Sequence, residues 1–170
     1  MPYSVALIKG IRPTSRRGVA FLESSDDARV DAKSVFALLE TDRENRSRDL
    51  KARFDLWGQG GTCDKYFHGW PNDERYQYCF VFKWKDAGTN HRMYGFLCHP
   101  RNPVDARFQA CVLVLHSRKN TPDTDLSLLD IVNTLRRHPE VIKASNIAFA
   151  QPGAQIITHG TRKSLDRRKH

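Results

Sequence analysis

A chain of 170 residues with 39% hydrophobic content and a formal net charge of +9 holds one core plus extensions and favours polyanionic partners. No apolar run approaches the roughly 20 residues that span a bilayer, which argues against a membrane partner. The N-terminus lacks the basic leader and small-residue cleavage pattern of a signal peptide, and cysteines without paired spacing lead to the expectation of a reducing cytoplasm. Nucleic acid is the first partner class, an acidic protein the second and a membrane surface the third.

In chain order, residues 3–8 (YSVALI) read as a short strand. Lys9 to Asp27 carries Gly10, Pro13, Gly18 and a Ser-Ser-Asp-Asp run around a brief VAFL, and reads as an irregular connection or mobile arm. Ser25, Asp26 or Asp27 is the expected cap of a helix through VDAKSVFALLE, with Val30, Val35, Phe36, Leu38 and Leu39 mostly on one side. TDRENRSRDL is charged throughout and continues into KARFDLW, where Leu50, Phe54 and Trp57 share a helical face before Gly58, Gly60 and Gly61 end it.

The segment TCDKYFHGWPNDER reads as an aromatic loop, with Tyr66, Phe67 and Trp70 around His68. Three strand-length runs follow, YQYCFVFKWK, HRMYGFLCH and FQACVLVLHSRKN, joined by a hairpin turn at Asp86–Asn90 and a longer loop at Pro100–Ala106. Thr121-Pro122-Asp123 opens a further helix, capped at Asp123, Thr124 or Asp125, with Leu126, Leu129, Val132 and Leu135 as its buried stripe. Pro139 stops or kinks it, and SNIAFAQPGAQIITHG reads as an edge strand or docked segment. The last ten residues carry five Arg or Lys against Asp166, a composition that is usually disordered.

The expected architecture is therefore α+β. A small antiparallel sheet of three to five strands packs against two N-terminal helices and one C-terminal helix. The expected domains are an N-terminal strand and arm over 1–28, one domain over 29–145, and a C-terminal extension with a basic tail over 146–170. Cys63, Cys79, Cys98 and Cys111 lack C-x-x-C spacing. Three of them fall in strands, where thiols behave as small buried hydrophobes, so no metal site and no cofactor are expected.

Chemistry enters through the basic and proton-transferring side chains that interrupt the three strands. Alternation puts Phe80, Phe82 and Trp84 on one side of the first strand and Lys83 and Lys85 on the other. It sets Arg92, Tyr94, Phe96 and Cys98 against Met93, Gly95 and Leu97. It also sets Val112, Val114, His116 and Arg118 against Cys111, Leu113 and Leu115. One register gathers the two lysines, Arg92, Tyr94, His116 and Arg118 on a common open surface.

Cleavage of RNA without a metal needs a base for the 2′-hydroxyl, positive charge for the phosphorane and an acid for the 5′-oxygen. Histidine suits either proton-transfer role near neutrality, lysine and tyrosine suit acid or electrostatic roles, and arginine clamps phosphate bidentately. Arg92, Tyr94, His116 and Lys119 are the catalytic candidates, and Lys65, Lys83, Lys85 and Arg118 the nucleic-acid-binding ones. The same residues also suit simpler tasks. Lysines at strand ends guard edges, and a histidine at a strand end is often merely hydrogen-bonded.

From about Val30 to Ala144 the order of elements resembles the RelE/HigB-like toxin superfamily: helices, three consecutive antiparallel strands, then a helix opened by Thr-Pro-Asp. CVLVLHSRKNTPDTDLSLLDIVNTL looks like the HigB-type strand, polar segment, "TP" and helix, and HRMYGFLC looks like the second core strand with its Arg and Tyr. KYFHGWPNDERYQYCFVFKW is similar to the family's lysine-to-strand entry. The resemblance implies a toxin of a toxin–antitoxin pair that cleaves mRNA, often at the ribosome, and is inhibited by a cognate antitoxin protein. It gives Arg92 the phosphate, Tyr94 a base or a proton, and His116 and Lys119 acid-base and electrostatic roles. The chain departs from the family in its length, and in His116-Ser117-Arg118-Lys119-Asn120 where an aromatic and paired lysines are usual. The alternative is a non-catalytic basic module of phage or mobile-element origin that binds nucleic acid or inhibits a host protein.

Overall fold

The computed structural model describes residues 2–8, 10–11, 16–42, 46–101, 105–119 and 124–150. The chain is α+β, with strands β1 (Tyr3–Leu7), β2 (Arg17–Ser24), β3 (Phe67–Gly69), β4 (Cys79–Asp86), β5 (Thr89–Cys98) and β6 (Gln109–Lys119). The helices are α1 (Ala32–Thr41), α2 (Ser47–Gly58), α3 (Leu126–Arg137) and α4 (Pro139–Ala150). All six strands form one sheet in the order β1-β2-β6-β5-β4-β3. It is mixed rather than antiparallel, because β2 runs parallel to β6.

That pairing corrects the expected arm. VAFL belongs to β2, whose residues from Gly18 to Leu22 are all buried. A strand covered on both faces shows a continuous apolar run without alternation, and a run this short between glycine and serine reads as loop. Among the described residues the sheet accordingly has six strands where three to five antiparallel ones were expected, and four helices cover it.

The two faces bury separate cores. Phe21, Phe36, Leu50, Phe54, Phe80, Phe82, Trp84 and Met93 cluster on the face covered by α1 and α2. Leu22, Val81, Tyr94, Phe96, Val112, Leu129, Val132 and Phe149 cluster on the face covered by α3 and α4. Each fully buried large side chain contributes about 1.5–3 kcal/mol of transfer free energy, so each helical layer holds its own side of the sheet.

The helix faces were partly misjudged. Residues spaced by three step about 300°, so each falls about 60° short of a full turn. Four such residues cannot share one stripe, and Leu126 points outward while Leu129, Val132 and Leu135 are buried. Leu38 is 72% exposed for a similar reason, standing opposite buried Phe36 on α1. The α1 cap position is Asp31 rather than residues 25–27. Asp125 caps α3, accepting from the Ser127 N–H at 3.0 Å, while Thr121-Pro122-Asp123 lies outside the described residues.

Pro139 starts a new helix at the position where its missing N–H costs nothing. SNIAFA is consequently helical, with Val141, Ala144, Ser145, Ala148 and Phe149 turned inward. The rest of the expected extension, including the basic tail, lies outside the described residues. Among the described residues, no helix is long and apolar enough to cross a membrane.

Candidate nucleic-acid interface

Strand pairing fixes which side chains share a surface. Lys83 lies opposite Arg92, and Arg92 opposite Ser117. One step outward, Lys85 faces Asn90 and Asn90 faces Lys119. One step inward, Val81 faces Tyr94, with His68 beside Val81 on β3. Directly opposed residues point to the same side of a sheet, so His68, Lys83, Lys85, Arg92 and Lys119 all lie on the α3/α4 face. They occupy the end of it that lies beyond the apolar cluster.

The cations are close enough to perturb one another. The Lys83 ammonium is held below the usual lysine value, first by burial and then by Arg92, with Lys119 adding to the effect and Asp64 opposing it. Burial also lowers Arg92. The Lys83 ammonium donates to the Asp64 carbonyl, and an Arg92 N–H donates to the His91 carbonyl at 3.1 Å. Both side chains are thereby held at the surface of the sheet. Lys85 is exposed at its strand end and Lys65 on the loop before β3.

His68 was assigned no role from sequence, and it is the imidazole on this surface. Its Nδ1 lies 3.1 Å from the Gly69 carbonyl oxygen. A carbonyl can only accept, so Nδ1 carries the proton and Nε2 keeps a lone pair. Burial lowers the His68 pKa, and Lys83 and Arg92 lower it further, while the Gly69 carbonyl works the other way. Its ring stands edge-on to Trp70 at 4.8 Å. The sequence signal was present in YFHGW, a histidine before a glycine among aromatics. It read as loop because a three-residue edge strand is too short to show a period.

Three expected site residues are placed differently. Tyr94 is 3% exposed, within the apolar cluster beneath α3, and burial raises its phenol pKa. It therefore stays protonated and has no free ring face for a base. His116 and Arg118 lie on the opposite side, the α1/α2 face, because His116 faces Met93 and Arg118 faces His91. The cause is a β-bulge: Tyr94 faces Leu115 but Gly95 faces Leu113, leaving Val114 as an extra residue. One inserted residue reverses the alternation of everything after it. Val114 and Leu115 both join the α3/α4 cluster, and His116 turns the other way.

Gly95 makes the bulge sterically possible. A Cβ there would stand 2.3 Å from the Val112 carbonyl oxygen and 2.9 Å from the Leu113 Cα. A glycine inside a strand was the available sign of a bulge.

On the α1/α2 face, His116 Nε2 and His91 Nδ1 are 2.8 Å apart. Trp84 stacks on His91 at 5.1 Å and 14°, and His91 on His116 at 5.1 Å and 22°. The Asp31 carboxylate accepts from the His116 backbone N–H at 2.8 Å, tying the end of β6 to the start of α1. Burial lowers both histidines, and His91 further lowers His116. The Trp84 indole N–H is buried without a hydrogen-bond partner among the described residues. This is a packed aromatic stack, with the His116 ring nitrogen nearest His91 already engaged.

Cys79 and Cys111 are buried, whereas Cys63 and Cys98 are partly exposed, and all four are free thiols. Burial pushes Cys79 up to about 11 and Cys98 up to about 12, so both remain protonated. Among the described residues, no three His, Cys, Asp or Glu side chains cluster in a metal-holding arrangement.

Between α2 and α3 the chain runs β3-β4-β5-β6, four consecutive antiparallel strands rather than the three on which the resemblance rested. In comparisons with family models, with curated proteins and with solved structures, the chain matches none of them.

Proposed function

We propose that this protein is an RNA-cleaving toxin of the RelE/HigB-like kind, binding single-stranded mRNA along the cationic end of its α3/α4 face. One observation carries the reading. Three adjacent strands present an imidazole with a free Nε2, an ammonium and a guanidinium on one surface. In this reading His68 takes the place expected for His116, and Tyr94 supports the surface from beneath.

The chemistry follows from the side chains. His68 Nε2 takes the proton of a 2′-hydroxyl, and the 2′-oxygen forms a bond to phosphorus. Arg92, with Lys119 beside it, neutralises the added charge on the phosphorane. The bond from phosphorus to the 5′-oxygen breaks as the Lys83 ammonium donates a proton to the leaving oxygen. The products are a 2′,3′-cyclic phosphate and a free 5′-hydroxyl, and water returns the protons to their starting groups. The lowered His68 is unprotonated near neutrality, as a base must be, and the lowered Lys83 ammonium is a stronger acid than an ordinary lysine. Lys65 and Lys85 extend the binding track, and a cognate antitoxin would cover this surface.

A second reading has its own support. The Lys83 ammonium is engaged by the Asp64 carbonyl, and His116 and Arg118 are directed elsewhere, which suits a non-catalytic module that holds an RNA backbone. Incubation of the purified protein with an end-labelled RNA oligonucleotide in the presence of EDTA separates the two. Cleavage to cyclic-phosphate ends, abolished by Arg92→Ala and by His68→Asn, supports the toxin. Salt-dependent binding without any product supports the module. Growth arrest on expression, relieved by the same two substitutions, is the cellular counterpart.

A further inference from the structure

The segment His68-Gly69-Trp70-Pro71 forms a constrained edge beside β4. A Cβ at Gly69 would stand 3.2 Å from the Cys79 carbonyl oxygen and 3.3 Å from the Phe80 ring, so β3 approaches β4 with little room for a side chain there. Pro71 disfavours helical backbone at Trp70, and the Asp73 N–H closes the following turn on the Trp70 carbonyl at 3.1 Å. Trp70 packs against the apolar cluster of the α3/α4 face, the same side of the sheet as His68. Its ring meets the imidazole at 4.8 Å and 66°. An imidazole has several rotamers and two neutral tautomers open to it. The Gly69 carbonyl selects one tautomer at 3.1 Å, but only while the ring keeps one orientation. His68 is partly open to water, and a single hydrogen bond in contact with water adds little net stability. Something else must hold the ring.

We propose that Trp70 is the positioning residue of the ribonuclease site: its ring blocks the other orientations of the His68 imidazole and keeps Nε2 directed at the 2′-hydroxyl. The inference rests on the reading of this surface as an RNA-cleaving site and adds what fixes its base. Trp70 acts through His68 and needs no contact with RNA. An aromatic side chain suits the task. Edge-to-face ring contacts are directional, and the packing of Trp70 on the apolar cluster gives the contact a fixed support. A ring against the imidazole also keeps water from that side of it, in line with burial as the first cause of the lowered His68 pKa.

Long-range nitrogen–proton correlation of the histidine rings reads tautomer and pKa directly, without RNA, and His68→Asn assigns the signal. In the parent chain His68 should be the Nδ1–H tautomer, with a nuclear Overhauser contact between its ring protons and the Trp70 indole. Trp70→Leu keeps an apolar anchor and removes the ring. His68 should then show both tautomers, and its pKa should rise towards the ordinary value near 6.5. His91 and His116, on the other face, should not change. With RNA, Trp70→Leu should lower kcat about tenfold and leave KM within about twofold. The rising limb of the pH profile should follow the shifted His68 value. Trp70→Phe, which restores an aromatic ring, should bring back the parental tautomer and most of the rate.

Absence of the ring contact in the parent, or a Trp70→Leu chain with the parental tautomer and pKa, overturns the positioning role. A raised KM with kcat unchanged overturns it too, because Trp70 would then hold RNA itself. If Trp70→Leu does not fold, the ring contact in the parent and the tautomer in Trp70→Phe decide the matter. The expected change at His68 in a chain whose parent cleaves no RNA would leave Trp70 orienting the imidazole and remove the ribonuclease reading instead.

Discussion

Two histidine-bearing patches lie at the same end of the sheet, one on each face, and they differ in what surrounds the imidazole. On the α1/α2 face, His91 and His116 face each other within a stack continued by Trp84. On the α3/α4 face, His68 is tied through one nitrogen only and its charged neighbours are Lys83 and Arg92, opposed by Asp64. The first arrangement satisfies the rings and packs them. The second leaves a lone pair beside positive charge. A histidine between a hydrophobic strand and a polar segment is therefore no guide to function until its side of the sheet is known.

Because a single bulge sorts the two patches, breaking it has the largest expected effect. Gly95→Val pushes side-chain atoms into the Val112 carbonyl and the Leu113 backbone. The substitution should cost about 3 kcal/mol or more, read as a fall in the urea midpoint, and RNA binding should go with it. A variant as stable as the parent would mean that β5 and β6 can pair without the extra residue.

Much of this was legible in the chain. The aromatic face of YQYCFVFKWK, with the lysines opposite, follows from alternation alone, and the structure has Phe80, Phe82 and Trp84 under the helices as expected. The two-residue turn between β4 and β5 is also where expected, with Ala87 and Gly88 both at positive φ, as a tight hairpin requires. What escaped were features without a period. They are β2, apolar on both faces; β3, three residues long; and Val114, one residue too many. The last of these misplaced His116 and Arg118, because parity counted from Val112 holds only while pairing is regular.

Arg92 separates the faces next. Arg92→Ala should lower RNA cleavage about 10²–10³-fold, the usual loss when a charge-stabilising donor is removed. Arg92→Lys should recover part of it, since a point charge replaces the bidentate fork. His116→Phe, measured in the same assay, should cleave within about twofold of the parent. Equal losses in both would return the imidazole role to His116.

His68→Asn should cost about 10²-fold and should also change the pH profile. Burial and the neighbouring cations lower the His68 pKa, so the base loses its proton below pH 6.5. The rising limb of the rate should therefore lie on the acid side of 6.5, and it should vanish in the variant. Lys83 is also lowered, which places the falling limb below the ordinary lysine value near 10.4. A rising limb above pH 7 would contradict His68 as the base.

The stacked pair predicts a stability effect with a defined sign. His91 and His116 are both lowered in the folded chain. Above about pH 6.5 they are neutral whether folded or unfolded, and pH has no leverage through them. As pH falls through 6.5 the unfolded chain takes up protons first, so stability declines until the folded values are passed. The melting temperature should drop between pH 7 and 5, and His116→Phe should flatten that drop. An unchanged slope would mean that other groups carry the acid sensitivity.

The smallest effect is the most selective between the two faces. Each phosphate neutralised on single-stranded nucleic acid steepens the salt dependence of binding by about 0.7 in log units. Lys85 and Arg118 are both exposed near strand ends, yet alternation sends them to opposite sides. Lys85→Gln should weaken RNA binding a few-fold and reduce the salt slope by about 0.7, whereas Arg118→Gln should change neither. Because both substitutions remove one charge, net charge cancels from the comparison and only position remains. If the two variants lose slope equally, RNA is responding to the +9 of the whole chain rather than to one side of its sheet.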